Sequence, residues 1–101
     1  MIIIQTTVDD DKKAKELINL LVEINKIACG TFHKIQSSYK WQEKLVNEQE
    51  FEISMYTKES LMREVVDNIA QRHSYELPKI TVLEPVYTLP EYDEWVSKET
   101  F

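Results

Sequence analysis

The chain has 101 residues and a mass of 12.0 kDa, with 12 Lys and Arg against 18 Asp and Glu, a formal charge of -6. That length is expected to form one domain over residues 1–101 that buries roughly two-thirds of its extended-chain surface, and the acidic balance argues against a nucleic-acid groove, which needs a basic footprint. The single glycine, Gly30, argues against phosphate-cradling loops and nucleophile elbows, and the single cysteine, Cys29, against Cys-pair zinc sites and intrachain disulfides.

Met1-Ile-Ile-Ile-Gln-Thr-Thr is a β-branched run without polar alternation and predicts a strand covered on both faces. Met1 to Ile4 is also the longest apolar run, so neither a membrane span nor a signal-peptide core is expected. With a lone cysteine suited to a reducing compartment, the expected location is cytoplasmic, with no membrane partner. Asp9-Asp10-Asp11 supplies an N-cap and favourable charge for a helix. Ala14, Leu17, Ile18, Leu21, Ile24 and Ala28 hold helical spacing and place that helix over 10–26.

Two extended segments follow. Ile35, Ser37, Tyr39 and Trp41 alternate with Lys34, Gln36, Ser38 and Lys40, and from Leu45 to Tyr56 the period of two continues. This predicts a β-hairpin turning near Gln42-Glu43-Lys44. A two-residue turn at Gln42-Glu43 sets Ile35 opposite Glu50 and Lys34 opposite Phe51, mixing the faces. A three-residue turn sets Trp41 by Leu45, Ile35 by Phe51 and Lys34 by Glu52, and this second register is the expected one. It lacks the Gly or Asn that a positive φ in such a turn favours.

Thr57 is expected to cap a second helix, with Leu61, Met62, Val65, Val66 and Ile69 as its apolar stripe to about residue 73. Leu77-Pro78 stops it, Ile80, Val82 and Leu83 make a short strand ended by Pro85, and a last helix follows Pro90 with Tyr92, Trp95 and Val96 inward. The order β-α-β-β-α-β plus a tail helix is the α+β, ferredoxin-like sandwich: an antiparallel sheet with two helices on one face. The hairpin arms, about 9 and 13 residues, exceed the usual five or six and leave edges that need a partner. Self-association by strand extension is therefore expected.

The residues themselves resemble the CutA family of divalent-cation tolerance proteins from Met1 to about Val96. The matching stretches are Ile27-Ala28-Cys29, Ser38-Tyr39-Lys40-Trp41, Lys44-Leu45 with the later Glu50, Thr57, His73-Ser74-Tyr75-Glu76-Leu77-Pro78, and Tyr92-x-x-Trp95-Val96. The resemblance implies a ferredoxin-like fold, a homotrimer of PII-like architecture, no established catalytic reaction, and a link to tolerance of divalent metals, copper first. As large amphipathic rings on a projecting ribbon and a tail helix, Tyr39, Trp41 and Trp95 are expected as interface or core anchors rather than a nucleobase platform, and Glu50, which matches a family position, and Tyr75 are expected at the trimer interface with them. The sequence departs from the family pattern at Glu43 in the hairpin turn, at Ser74 after the histidine, and at Tyr56 before Thr57. Gln5 and Arg72 stand where some members carry an extra Cys and His.

Three residues are candidates for a metal or small ligand. Cys29 offers a soft thiolate, against its reading as a small hydrophobe at a helix-to-strand junction. His73, with Glu76 beside it, offers imidazole and carboxylate at a subunit crevice, against its reading as a helix C-terminal cap. Glu48, Glu50 and Glu52 share one strand face, and Lys34 and Lys40 are their expected neighbours, so an ion-paired or solvated face is favoured there. Two functions remain open: metal tolerance through a crevice between subunits, or small-molecule sensing and scaffolding by a PII-like assembly. An acylphosphatase-like enzyme would need a backbone phosphate cradle that a one-glycine chain does not offer.

Overall fold

A computed structural model describes residues 1–101. The first strand, β1 (Ile2–Val8), leads through Asp9 and Asp10 into α1 (Asp11–Glu23). The Asp10 side chain accepts the Lys12 N–H at 2.8 Å, so the acidic run does cap this helix. The helix ends at Glu23, short of residue 26, because Asn25 turns left-handed at φ 61°. The Lys26 N–H then closes back on the Leu21 carbonyl at 2.9 Å, a common stop for a helix.

The hairpin follows as β2 (Cys29–Trp41) and β3 (Lys44–Thr57). After a short 3-10 turn, Glu59–Leu61, come α2 (Met62–Arg72), β4 (Ile80–Leu83) and α3 (Pro90–Glu99). The strands form one antiparallel sheet in the order β2-β3-β1-β4. Ile2, Ile4 and Val8 of β1 and Ile53 and Met55 of β3 share one face, where they pack with Ala14, Ile18 and Leu21 of α1 and Val65 and Ile69 of α2. Both helices therefore cover the same face, giving the ferredoxin-like α+β sandwich. Each such fully buried aliphatic side chain contributes about 1.5–3 kcal/mol, and this cluster holds the fold.

Several expectations are corrected. β1 is covered by helices on one face only; Ile3 and Gln5, on the other face, stay half-buried. Thr57 caps nothing. It is fully buried, and its hydroxyl donates to the Lys26 carbonyl at 2.6 Å, tying β3 to the end of α1. Of the tail helix only Val96 is buried; Tyr92 and Trp95 pack on each other with ring centroids 5.5 Å apart and remain exposed.

The largest correction concerns register. Trp41 pairs with Lys44, Ile35 with Glu50 and Lys34 with Phe51, so the turn has two residues. Gln42 and Glu43 both take positive φ, 50° and 69°, the mark of a type I′ turn, whose twist matches that of the flanking strands. The apolar anchor of β2 is Phe32 rather than Ile35. Phe32 sits opposite Ile53 and meets Phe51 edge-on at 6.3 Å, while Gly30 passes over Ile18. Ile35 belongs to the helix-free face, together with Tyr39, Trp41 and the three glutamates of β3.

Beyond Val8–Phe51 the hairpin has no neighbour in the sheet, and it continues to its tip at residues 42 and 43. The molecule accordingly measures 45 × 27 × 21 Å, and its radius of gyration, 14.3 Å, exceeds the roughly 13 Å of a compact chain this long.

Candidate functional site

The segment after α2 crosses to the helix-free face because His73 locks it to the end of β1. Nε2 of His73 lies 2.9 Å from the Thr7 carbonyl and 3.1 Å from Thr6 Oγ1. Nδ1 accepts the Tyr75 N–H at 3.1 Å. A carbonyl only accepts, so the proton sits on Nε2 and the ring is the neutral Nε2–H tautomer. His73 is thus the C-cap residue of α2 by position, but its ring bonds β1 and Tyr75 rather than the free carbonyls of the helix, and neither nitrogen is left free.

From that anchor Tyr75 reaches across the sheet, and its hydroxyl donates to Glu50 Oε2 at 2.7 Å. Glu50 is only 6% exposed. Next to it Tyr39 donates to Glu48 Oε1 at 2.6 Å. That bond exists only in the two-residue register, where Tyr39 lies opposite Val46 with Glu48 on the diagonal. Hydrogen bonding to Glu48, with some desolvation, pushes the Tyr39 hydroxyl up to about 12. Burial first, then the bond to Glu50, pushes the Tyr75 hydroxyl up as well. Both phenols stay neutral donors at ordinary pH.

Together these residues line a groove of about 690 Å³ between the outer hairpin and the 73–79 turn, with Trp41, Glu76, Leu77, Lys40 and Lys79 on its walls. Lys79 reaches Glu52 at 3.3 Å, and His33 lies 3.9 Å from the same carboxylate. The glutamate ladder is therefore neighboured by Tyr39, Tyr75, Lys79 and His33. Lys34, expected among its neighbours, faces Phe51 on the other side of β2, and Lys40, opposite Leu45, contributes to the groove wall but makes no ion pair with the ladder.

Cys29 is not part of this groove. It pairs with Tyr56, which pairs with Ile3, four residues along β1 from the Thr7 that holds His73; at about 3.3 Å per residue this is some 13 Å. No three His, Cys, Asp or Glu side chains converge in a geometry that holds a metal ion. With both His73 nitrogens engaged, Cys29, His73 and Glu76 of one chain do not fit a divalent metal. The link from Tyr75 to Glu50, 25 residues apart, was missed in the sequence; its one signal was that both residues lie in stretches that resemble the family.

A family model described as CutA1 divalent ion tolerance protein matches residues 2–99. The chain belongs to the CutA1 family. Among its relatives, the divalent-cation tolerance protein CutA of Thermotoga maritima is 31% identical over 98 residues, covering 97% of each chain. The crystal structure of CutA1 from Pyrococcus horikoshii superposes with a TM-score of 0.95 at 28% identity, covering 100% of this chain and 99% of that one. The PII-like protein CutA from Nostoc sp. PCC 7120, in apo form, superposes at 0.93 and 28% identity, covering 100% and 98%. The CutA1 fold of this chain thus survives low sequence identity, Glu43 in the hairpin turn included. No helix is long and apolar enough to cross a membrane.

Proposed function

We propose that this CutA1 protein is a non-enzymatic, cytoplasmic homotrimer of one CutA-like domain, residues 1–101, that serves tolerance of divalent cations through crevices between its subunits. The carrying observation is the outer hairpin, Ile35–Trp41 with Lys44–Glu50, which has only itself as a sheet neighbour while Ile35, Tyr39 and Trp41 line an open face. Unpaired strand edges beside aromatic side chains favour a sister chain as partner. Tyr39, Trp41, Glu50, Tyr75 and Trp95 are the interface residues of this reading. Copper is the ion that the family resemblance puts first, held by groups from more than one copy, with Glu76 and Cys29 as the residues to substitute. Light scattering is expected to give about 36 kDa, three times 12.0 kDa; a single-chain mass at micromolar concentration overturns the assembly.

A second reading has its own support. Both His73 nitrogens are engaged within the chain, and a similar fold is described as PII-like; both favour a small-molecule sensor or scaffold in which the crevice takes an organic ligand. Calorimetric titration with copper, zinc and manganese ions separates the two. If no ion binds the assembled protein better than millimolar, the sensor reading stands and the metal role fails.

A further inference from the structure

We propose that the cavity between α1 and α2, on the helix side of the sheet, binds a free aliphatic α-amino acid. Its carboxylate is set against Arg72, its ammonium against Glu16 and its side chain against Leu17, Leu20 and Ile69. No residue assigned to contacts between copies lines this cavity, so the proposal stands apart from the crevice reading.

The cavity follows from how the two helices bury their stripes. Ala14, Ile18 and Leu21 of α1 are buried against the sheet, which leaves Leu17 and Leu20 half-buried on the flank of that helix. The first turn of α1 meets the end of α2, where Lys13 donates to Ser74 Oγ at 3.3 Å. Facing α1, the second helix buries Val65 and Ile69. One turn on, where a further apolar side chain would close the gap, the sequence places Arg72, which is exposed, and the helix ends. The result is a cavity of about 270 Å³ with Val8, Ile69 and the two leucines as its apolar lining. Apolar surface left open to water is unfavourable, and an aliphatic body that covers it is held there by the same effect. The volume lies at the small end for ligand sites and suits a molecule of amino-acid size.

The charged side chains at the mouth decide the class of ligand. Lys13 is occupied, by Asp9 at 2.9 Å and by Ser74. His73 is neutral, with both nitrogens engaged. That leaves Glu16 on α1 and Arg72 on α2, opposite in sign and lining the same small space from different helices. Neither makes an ion pair with any group of the chain, and they do not pair with each other. A simple anion would meet Glu16 and a simple cation would meet Arg72, so each is opposed by one wall. A zwitterion answers both. The planar guanidinium suits a carboxylate, which it takes as a bidentate pair, and the Glu16 carboxylate accepts from an ammonium.

The test is calorimetric titration of the full chain at low salt with L-leucine, with 4-methylpentanoate, which lacks the ammonium, and with 3-methylbutylamine, which lacks the carboxylate. Leucine is expected to bind about tenfold more tightly than either analogue, the scale of one charge-assisted contact. Arg72→Gln is expected to weaken leucine by about the same factor and to leave 3-methylbutylamine no weaker. Glu16→Gln is expected to weaken leucine similarly and to leave 4-methylpentanoate no weaker. Both side chains are exposed, so both variants are expected to fold, with thermal midpoints close to wild type. Leucine bound no better than millimolar, bound no better than its two analogues, or bound equally by wild type and both variants overturns the proposal. None of these results depends on the mass from light scattering, so failure here and failure of the crevice reading are distinguishable.

Discussion

Gly30 is the only glycine in the chain, and its φ is not positive, so an alanine there suffers no backbone strain. A Cβ built on Gly30 would meet Ile18 at 2.7 Å from Cγ2, 2.8 Å from Cγ1 and 3.2 Å from Cδ1. Carbon pairs rest at about 3.5–4.0 Å, so the two nearest overlaps are severe. Cγ1 and Cγ2 branch from the Cβ of a helical isoleucine, whose χ1 is nearly fixed, and rotation offers no escape. The strand must then lift from α1 at the edge of the core. We predict that Gly30→Ala costs about 1–3 kcal/mol of overpacking, offset by about 0.5–1 kcal/mol gained from a less flexible unfolded chain. The net loss of about 1–2 kcal/mol appears in urea as a midpoint lowered by about 0.5–1 M, given a slope near 2 kcal/mol/M. Protomer concentration must be held constant, because the stability of an oligomer depends on it. In an Ile18→Ala background, itself destabilised by about 2–5 kcal/mol, the clash is gone and the same substitution is expected to be neutral or stabilising. A Gly30→Ala midpoint at or above wild type, or an equal loss in both backgrounds, would refute the steric account.

Two further outcomes are expected. Replacing Gln42 by Asn and Glu43 by Gly relieves two positive-φ residues and should stabilise the chain by about 1 kcal/mol, or some 4–8 °C in thermal midpoint; a lowered midpoint would mean that the turn is not strained. The Tyr39 hydroxyl, raised from 10.0 to about 12, keeps its proton in the folded chain where the unfolded chain has lost it. Its contribution is therefore complete below pH 10 and lost as pH rises toward 12. Thermal melts across that window should fall less steeply for Tyr39→Phe than for wild type, and parallel slopes would contradict the Tyr39–Glu48 bond.

The groove residues show why register matters for function. In the three-residue register, Ile35, Tyr39 and Trp41 would share a face with Leu45, Asn47, Gln49 and Phe51. Glu48, Glu50 and Glu52 would stand beside Lys34 and Lys40 as an ordinary ion-paired surface. One residue of slip moved every side chain of one arm to the other face. Periodicity alone pairs Ile35 with Phe51 as apolar neighbours. In the folded sheet Phe32, four residues after Ala28, fills the inward position opposite Ile53 and so sets the register.

Local periodicity alone determined the element order, the helix-start carboxylates, the hairpin and the short fourth strand, because periods of 2 and 3.6 are written into consecutive residues. From these the ferredoxin-like order followed, while the family rested on the resemblance of short motifs such as His73-Ser74-Tyr75-Glu76-Leu77-Pro78. Only tertiary structure decided where β1, the hairpin and the 73–79 turn meet. Tyr75 and Glu50 are joined through His73's grip on Thr7, and the pairing of β2 with β3 rests on left-handed backbone at Gln42 and Glu43. Neither residue type advertises that conformation. The strain at the tip is outweighed by packing ten or more residues away, where Phe32 and Gly30 must face the helices. Contacts so distant in sequence leave no mark on any short window of it.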